Sequence, residues 1–160
     1  MKNNIFLLVT IILLFSFMAK SITVPKDNKA SFDVIRKNKI IGSVETVFTK
    51  DNKKLILETI VDINLKILFI PAYKFFQKTK EVWEKNQLIH FEGYTDFEDD
   101  REFFISGIYK DNNFIANVKD IANVTDEELI LDKKILTLNY LNRNILKEKK
   151  FFDIQKGIVR

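Results

Sequence analysis

From Leu55 to Phe69 apolar and polar residues alternate. Leu57, Thr59, Val61, Ile63, Leu65, Ile67 and Phe69 share one parity; Glu58, Asp62, Asn64 and Lys66 share the other with Ile56 and Ile60. A period of two over that length predicts a half-buried antiparallel strand, not an amphipathic helix. The same period recurs on both sides. Ser31–Arg36 and Ile40–Thr49 flank a turn at Lys37-Asn38-Lys39. Tyr73–Glu84, Leu88–Asp96 and Glu102–Lys110 follow, parted by Lys85-Asn86-Gln87 and by the acidic turn Glu98-Asp99-Asp100. Phe114–Lys119 and Phe151–Val159 complete the strand set. Aromatic and β-branched residues fill the runs, and turn formers fill the gaps. Pro71 predicts a strand end, bend or edge, because proline has no amide hydrogen for a ladder. Gly42 inside a strand predicts a bulge or a close packing contact.

One interval breaks the pattern. Thr125-Asp126-Glu127-Glu128 ahead of Leu129 has the form of a helix start, with Thr125 as cap and Glu128 three residues on. It predicts a short helical turn or two between Thr125 and Leu146. The expected fold is mainly β: a curved antiparallel meander, an open or half-closed barrel, with that short helical segment over its mouth or edge.

Residues 1–21 change the picture of where the chain goes. Lys2, the apolar run Ile5–Ala19 and the small residues of Ala19-Lys20-Ser21 predict a secretory signal peptide. An uncleaved inner-membrane anchor is the alternative, although the run falls short of the ~20 apolar residues of a spanning helix. Residues 22–160 are then one β domain, periplasmic or secreted. Lys2 and Lys20 contribute to the formal net charge of +4. The other lysines alternate with acids, so no basic stripe marks the chain for nucleic acid.

The absence of Cys excludes disulfides, thiolate metal sites and a lipid-modified Cys. The single His, His90, excludes a His-rich metal site within the chain. Alternation puts His90 on one face with Leu88, Glu92 and Tyr94, and without a second His or a Cys it predicts a surface or hydrogen-bonded strand residue. The acidic cluster Asp96, Glu98, Asp99, Asp100 and Glu102 lacks the spacing and glycine of a calcium loop, and predicts a solvated tip. No phosphate loop, nucleophile elbow or placed pair of carboxylates supports an enzyme, and no cofactor or metal is expected.

The densest apolar group is Leu68, Phe69, Ile70, Phe75, Phe76, Trp83 and Tyr94. It predicts either the core of a curved sheet or the lining of a groove for an apolar ligand. Alternation puts Trp83 on one face with Tyr73 and Phe75, and sets Gln77, Thr79 and Glu81 between them. That face is apolar at its ends and polar in its middle. The partners expected on these grounds are an apolar small molecule or lipid, or an envelope protein that joins an exposed sheet face or edge.

The chain also resembles a family of exported bacterial proteins known as domain of unknown function 6134. The resemblance is carried by Phe32-Asp33-Val34-Ile35-Arg36 with Ile41-Gly42, by Glu81-Val82-Trp83 with Leu88, and by Thr95-Asp96. It continues in Asn139-Tyr140-Leu141-Asn142 and Asp153-Ile154-Gln155-Lys156-Gly157. Leu141 stands where the family tends to have Trp, and Ile154 where it has Thr. The resemblance implies an exported antiparallel β protein and no particular activity. It also implies further strands past the last motif, so that a shortened closing edge is expected.

Overall fold

The computed structural model describes residues 22–67, 70–97 and 101–160. The segment read as an export signal lies outside them, as do Leu68, Phe69 and the tip Glu98-Asp99-Asp100.

The described residues form eight strands in one antiparallel sheet: β1 Lys29–Arg36, β2 Lys39–Asp51, β3 Lys54–Ile67, β4 Ile70–Glu84, β5 Gln87–Phe97, β6 Glu102–Lys110, β7 Asn113–Asp120 and β8 Thr125–Asp132. Spatial order equals chain order, with β1 and β8 as the two edges. The sheet is an open meander; it does not close. Local chemistry enforces the sequence of hairpins. The pairs Lys37-Asn38, Lys85-Asn86 and Asp111-Asn112 all take positive φ. Two consecutive left-handed residues make the tight turn whose twist suits flanking strands, and Asn tolerates that conformation.

Three local expectations need correction. Thr125–Glu128 starts no helix. It opens β8, which pairs with β7 over its whole length from Asp120↔Thr125 to Asn113↔Asp132. A capping box satisfies two orphan amides, whereas this ladder satisfies a strand's worth. The helical content of the described residues is one 3-10 turn, Arg143–Lys147, begun by Asn142, whose side chain accepts from Asn144 N. Leu88 does not share a face with His90. A register shift opposite Val82/Trp83 sets Trp83 against Leu88 and Val82 against His90, so Leu88 turns into the core with Trp83. Finally, Phe151–Val159 is not one strand but two, broken by a turn.

The expected irregularities at Pro71 and Gly42 are present. Pro71 pairs with Lys66 beside a register shift at Leu65/Lys66. Gly42 pairs with Val34 beside another shift, and a Cβ there would collide with the Asp62 carbonyl.

The last part of the chain makes a second, small sheet. β9 Leu136–Thr137 lies parallel to β10 Phe151–Asp153, and β11 Ile158–Val159 pairs antiparallel with β10. This sheet covers the inner face of the large one. Ile135, Leu136, Phe152 and Ile154 join Phe91, Ile105, Phe114 and Val118 in one buried cluster. The Phe91 and Phe152 rings meet edge to face at 6.4 Å. Each large apolar side chain so buried contributes about 1.5–3 kcal/mol. Ile22 enters the same core and pairs with Asn142 through an isolated bridge. Among the described residues no helix is long and apolar enough to cross a membrane.

Candidate functional site: a cavity between the sheet and its cover

The register of β1–β5 sets inward side chains in rows. Phe32, Val44, Val61, Gln77 and Thr95 form one row. Ala30, Thr46, Thr59, Thr79 and Gly93 form the next, and Phe48, Leu57, Glu81 and Phe91 a third. The first row is therefore apolar from β1 to β3 and polar at β4, and the second is polar from β2 to β4. Over them the chain at Leu138–Leu141 and Asp153–Gln155 forms a roof, and a cavity of about 530 Å³ remains between. Its apolar walls come from Phe32, Val44, Val61, Ile63 and Phe75; its polar floor comes from Thr46, Thr59, Gln77, Thr79 and Glu81. A larger depression of about 680 Å³ lies on the other side of the sheet, bordered by Lys78, Lys80, Glu92 and Lys119. That one is edged with charge, and among the described residues no second element roofs it, so the inner cavity is the better site.

Glu81 fixes the roof to the floor. It is fully buried, and both of its oxygens are engaged. Thr137 Oγ1 donates to Oε1 at 2.8 Å. Trp83 Nε1 and Asn139 Nδ2 donate to Oε2 at 2.8 and 3.1 Å. Burial pushes the carboxyl pKa up, and the three donors pull it back only in part. The neighbouring motifs extend this anchor. Asn139 Oδ1 accepts from Leu141 N at 2.9 Å, which shapes the roof. Asp153 Oδ1 accepts from Gln155 N at 2.9 Å, and Gly157 N donates to the Asp153 carbonyl at 2.8 Å. Gly157 takes φ +67 and sits against Val118 where a Cβ would collide. The turn between β10 and β11 thus needs both its Asp and its Gly.

On the floor the hydrogen bonds are fewer. Gln77 Nε2 donates to Thr95 Oγ1 at 3.1 Å. Thr46 and Thr59 share one hydroxyl hydrogen across 2.9 Å.

The residues expected to line a groove divide between the two faces. Phe75 lines the cavity. Trp83 is 2% exposed, in the core beyond Glu81. Phe76 and Tyr94 lie on the other side, with ring centroids 6.3 Å apart, and Tyr94 goes on to Phe104 at 4.9 Å. Ile70 opens β4, and Leu68 and Phe69 fall outside the described residues. His90 is also on that side, where Nε2 lies 3.1 Å from Glu92 Oε1. Asp96 is 4.0 Å from Lys74. The apolar group so chosen leaves out Val44 and Val61, and the polar middle of β4 leaves out Thr46 and Thr59. The signal that marks them is the polar middle of β4, carried across the ladder to β3 and β2.

Fold and site together define a class: an open antiparallel β meander whose inner face is partly covered, and partly left as a roofed cavity, by its own C-terminal segment. The chain belongs to the family described as Domain of unknown function (DUF6134), whose model matches residues 32–160. That stretch contains all the residues that line the cavity. No curated protein and no solved structure matches the chain.

Proposed function

We propose that the protein is an exported binding protein that carries an apolar small molecule or lipid in the inner cavity. The observation that supports this is a volume of about 530 Å³ with aliphatic and aromatic walls and a few polar groups on one side. Ligand sites have that size and that mixture. The export expected from residues 1–21 fits a carrier that works in the periplasm or outside the cell.

The test uses a neutral fluorescent probe, N-phenyl-1-naphthylamine, titrated into purified protein. Saturable uptake is expected, and Val61→Trp, which fills the cavity, is expected to abolish it while leaving the β-sheet circular dichroism unchanged. No saturable uptake, or undiminished uptake by the folded variant, would overturn the reading.

A second reading has its own observation. The edge strand β1 exposes Phe32 and Ile35 at 53% and 64%, and the edge strand β8 exposes Ile130 at 70%. Such edges support strand addition by an envelope protein. Pull-downs from envelope extracts that yield a stoichiometric partner, with no probe uptake, would favour this module over the carrier.

A further inference from the structure

The inference here rests on the carrier reading and adds the chemical class of the ligand. Among the described residues that line the cavity, none is Lys, Arg or His. Two carboxyls reach it, Glu81 and Asp153, and both are committed. Glu81 holds Thr137, Trp83 and Asn139. Asp153 accepts from Gln155 N through Oδ1 and pairs with Arg160 Nε at 2.6 Å through Oδ2. An anionic head group would therefore find no counter-charge. A cationic one would compete for the carboxyl oxygens with the donors that hold the roof. A buried charge without a partner is strongly disfavoured.

Uncharged polar capacity, by contrast, is unspent. Gln77 is 5% exposed and uses one end of its amide on Thr95. The other end makes no hydrogen bond among the described residues. Thr79, 4% exposed, lines the cavity with its hydroxyl likewise unpaired. The Thr46–Thr59 pair retains one hydroxyl hydrogen beyond the one it shares. In this orientation the amide of Gln77 leaves its carbonyl uncommitted; turned over, it would accept from Thr95 and present its NH₂ instead. A hydroxyl, which both donates and accepts, satisfies either orientation; an ether or a ketone satisfies one. The volume, in the lower half of the ~300–1,000 Å³ range of ligand sites, suits one chain.

We infer that the ligand is an uncharged single-chain amphiphile whose hydroxyl rests on Gln77 and Thr79 while its aliphatic body lies along Val44, Val61, Ile63 and Phe75. The polar end is thus inside, on the floor.

The experiment displaces the bound naphthylamine probe at neutral pH with four molecules that share one tail: dodecanol, dodecane, dodecanoate and dodecylammonium. Dodecanol is expected to displace at concentrations about tenfold below those of either ion, a difference of about 1.4 kcal/mol. In Thr79→Val and in Gln77→Leu, each confirmed folded by its melting curve, dodecanol should weaken about tenfold and dodecane by less than about twofold. Thr79→Val keeps the side-chain shape, and the wild-type comparison needs no variant, so failure of Gln77→Leu to fold leaves the decision intact. An ion that binds as well as the alcohol overturns the inference. So does a folded Thr79→Val protein with unchanged dodecanol affinity. Probe uptake without head-group preference overturns this inference and leaves the carrier reading standing; no uptake at all overturns both.

Discussion

Glu81 is the point at which charge, burial and the attachment of the C-terminal cover meet, and two substitutions separate those contributions. Glu81→Leu keeps much of the shape but strands three buried donors: the Trp83 indole N–H, the Asn139 amide and the Thr137 hydroxyl. Each buried donor left unmet costs about 1–3 kcal/mol. The hydroxyl can turn away, so the two remaining donors make the expected loss about 2–6 kcal/mol. That is a large part of the ~5–15 kcal/mol that holds a domain folded. Glu81→Gln behaves differently. Its carbonyl can accept from Trp83 and Asn139, and its NH₂ can donate to Thr137, whose hydroxyl oxygen then accepts. Because burial already disfavours the charge, the uncharged amide should lie within about 1 kcal/mol of wild type. The pH dependence follows with a definite sign. The carboxyl pKa is raised in the folded state above its ordinary 4.5. The folded protein therefore holds that proton more tightly than the unfolded chain does. This contribution to stability is full below pH 4.5 and is lost as pH rises through the folded-state value. Wild type should thus gain on Glu81→Gln as pH falls through that window. Urea denaturation followed by the fluorescence of Trp83, the single Trp, measures both effects at the point of change. A Glu81→Leu protein as stable as Glu81→Gln would refute the claim that these hydrogen bonds anchor the cover.

Trp83→Ala should destabilise folding by ~3–5 kcal/mol in denaturation followed by circular dichroism, since it empties a core site; Trp83→Phe should cost clearly less, and the wild-type fluorescence should resist acrylamide. A Trp83→Ala protein that melts within a degree or two of wild type would contradict the core placement. Gly157→Ala forces a side chain into φ +67 and against Val118, so a loss of about 1–3 kcal/mol is expected, with faster proteolysis between Leu136 and Arg160. Unchanged proteolysis would show that the cover does not depend on this contact.

The large sheet was legible because most of its strands bury one face and wet the other, which writes a period of two into the chain. β8 was not, because it is an edge strand whose buried side is short. Leu131 is buried and Leu129 half-buried, while Thr125 to Glu128 are all exposed, so a capping-box pattern met no contrary alternation. The face of Leu88 was misassigned because a bulge adds one residue to β5 and reverses parity beyond it. A bulge of this kind has no mark in the residues themselves. The cover was illegible for a different reason. Its strands are two or three residues long, and buried residues such as Leu136 and Thr137, or Phe152 and Asp153, are adjacent instead of alternate. Contacts on both sides leave no period to detect.

The site was half visible, and the missing half is instructive. Alternation alone placed Gln77, Thr79 and Glu81 on the same face as Phe75 and Trp83. What alternation could not supply was the material above them, since Thr137 and Asn139 lie 56 and 58 positions from Glu81 along the chain. Polar groups in the middle of a buried sheet face oppose folding unless something hydrogen-bonds them. The cover does this for Glu81 completely. It does not do so for Gln77 or Thr79, which are as deeply buried but face the open cavity. A leucine and a valine there would give the sheet a simpler core. The amide of Gln77 serves Thr95 with one end only, and its other end and the Thr79 hydroxyl stand at the floor of an apolar-walled space with no hydrogen bond among the described residues. The Gln87 and Asn142 amides also leave a buried nitrogen unmatched, but they lie outside this cavity; unmatched polar groups that face an apolar-walled space are the ones a ligand can reach.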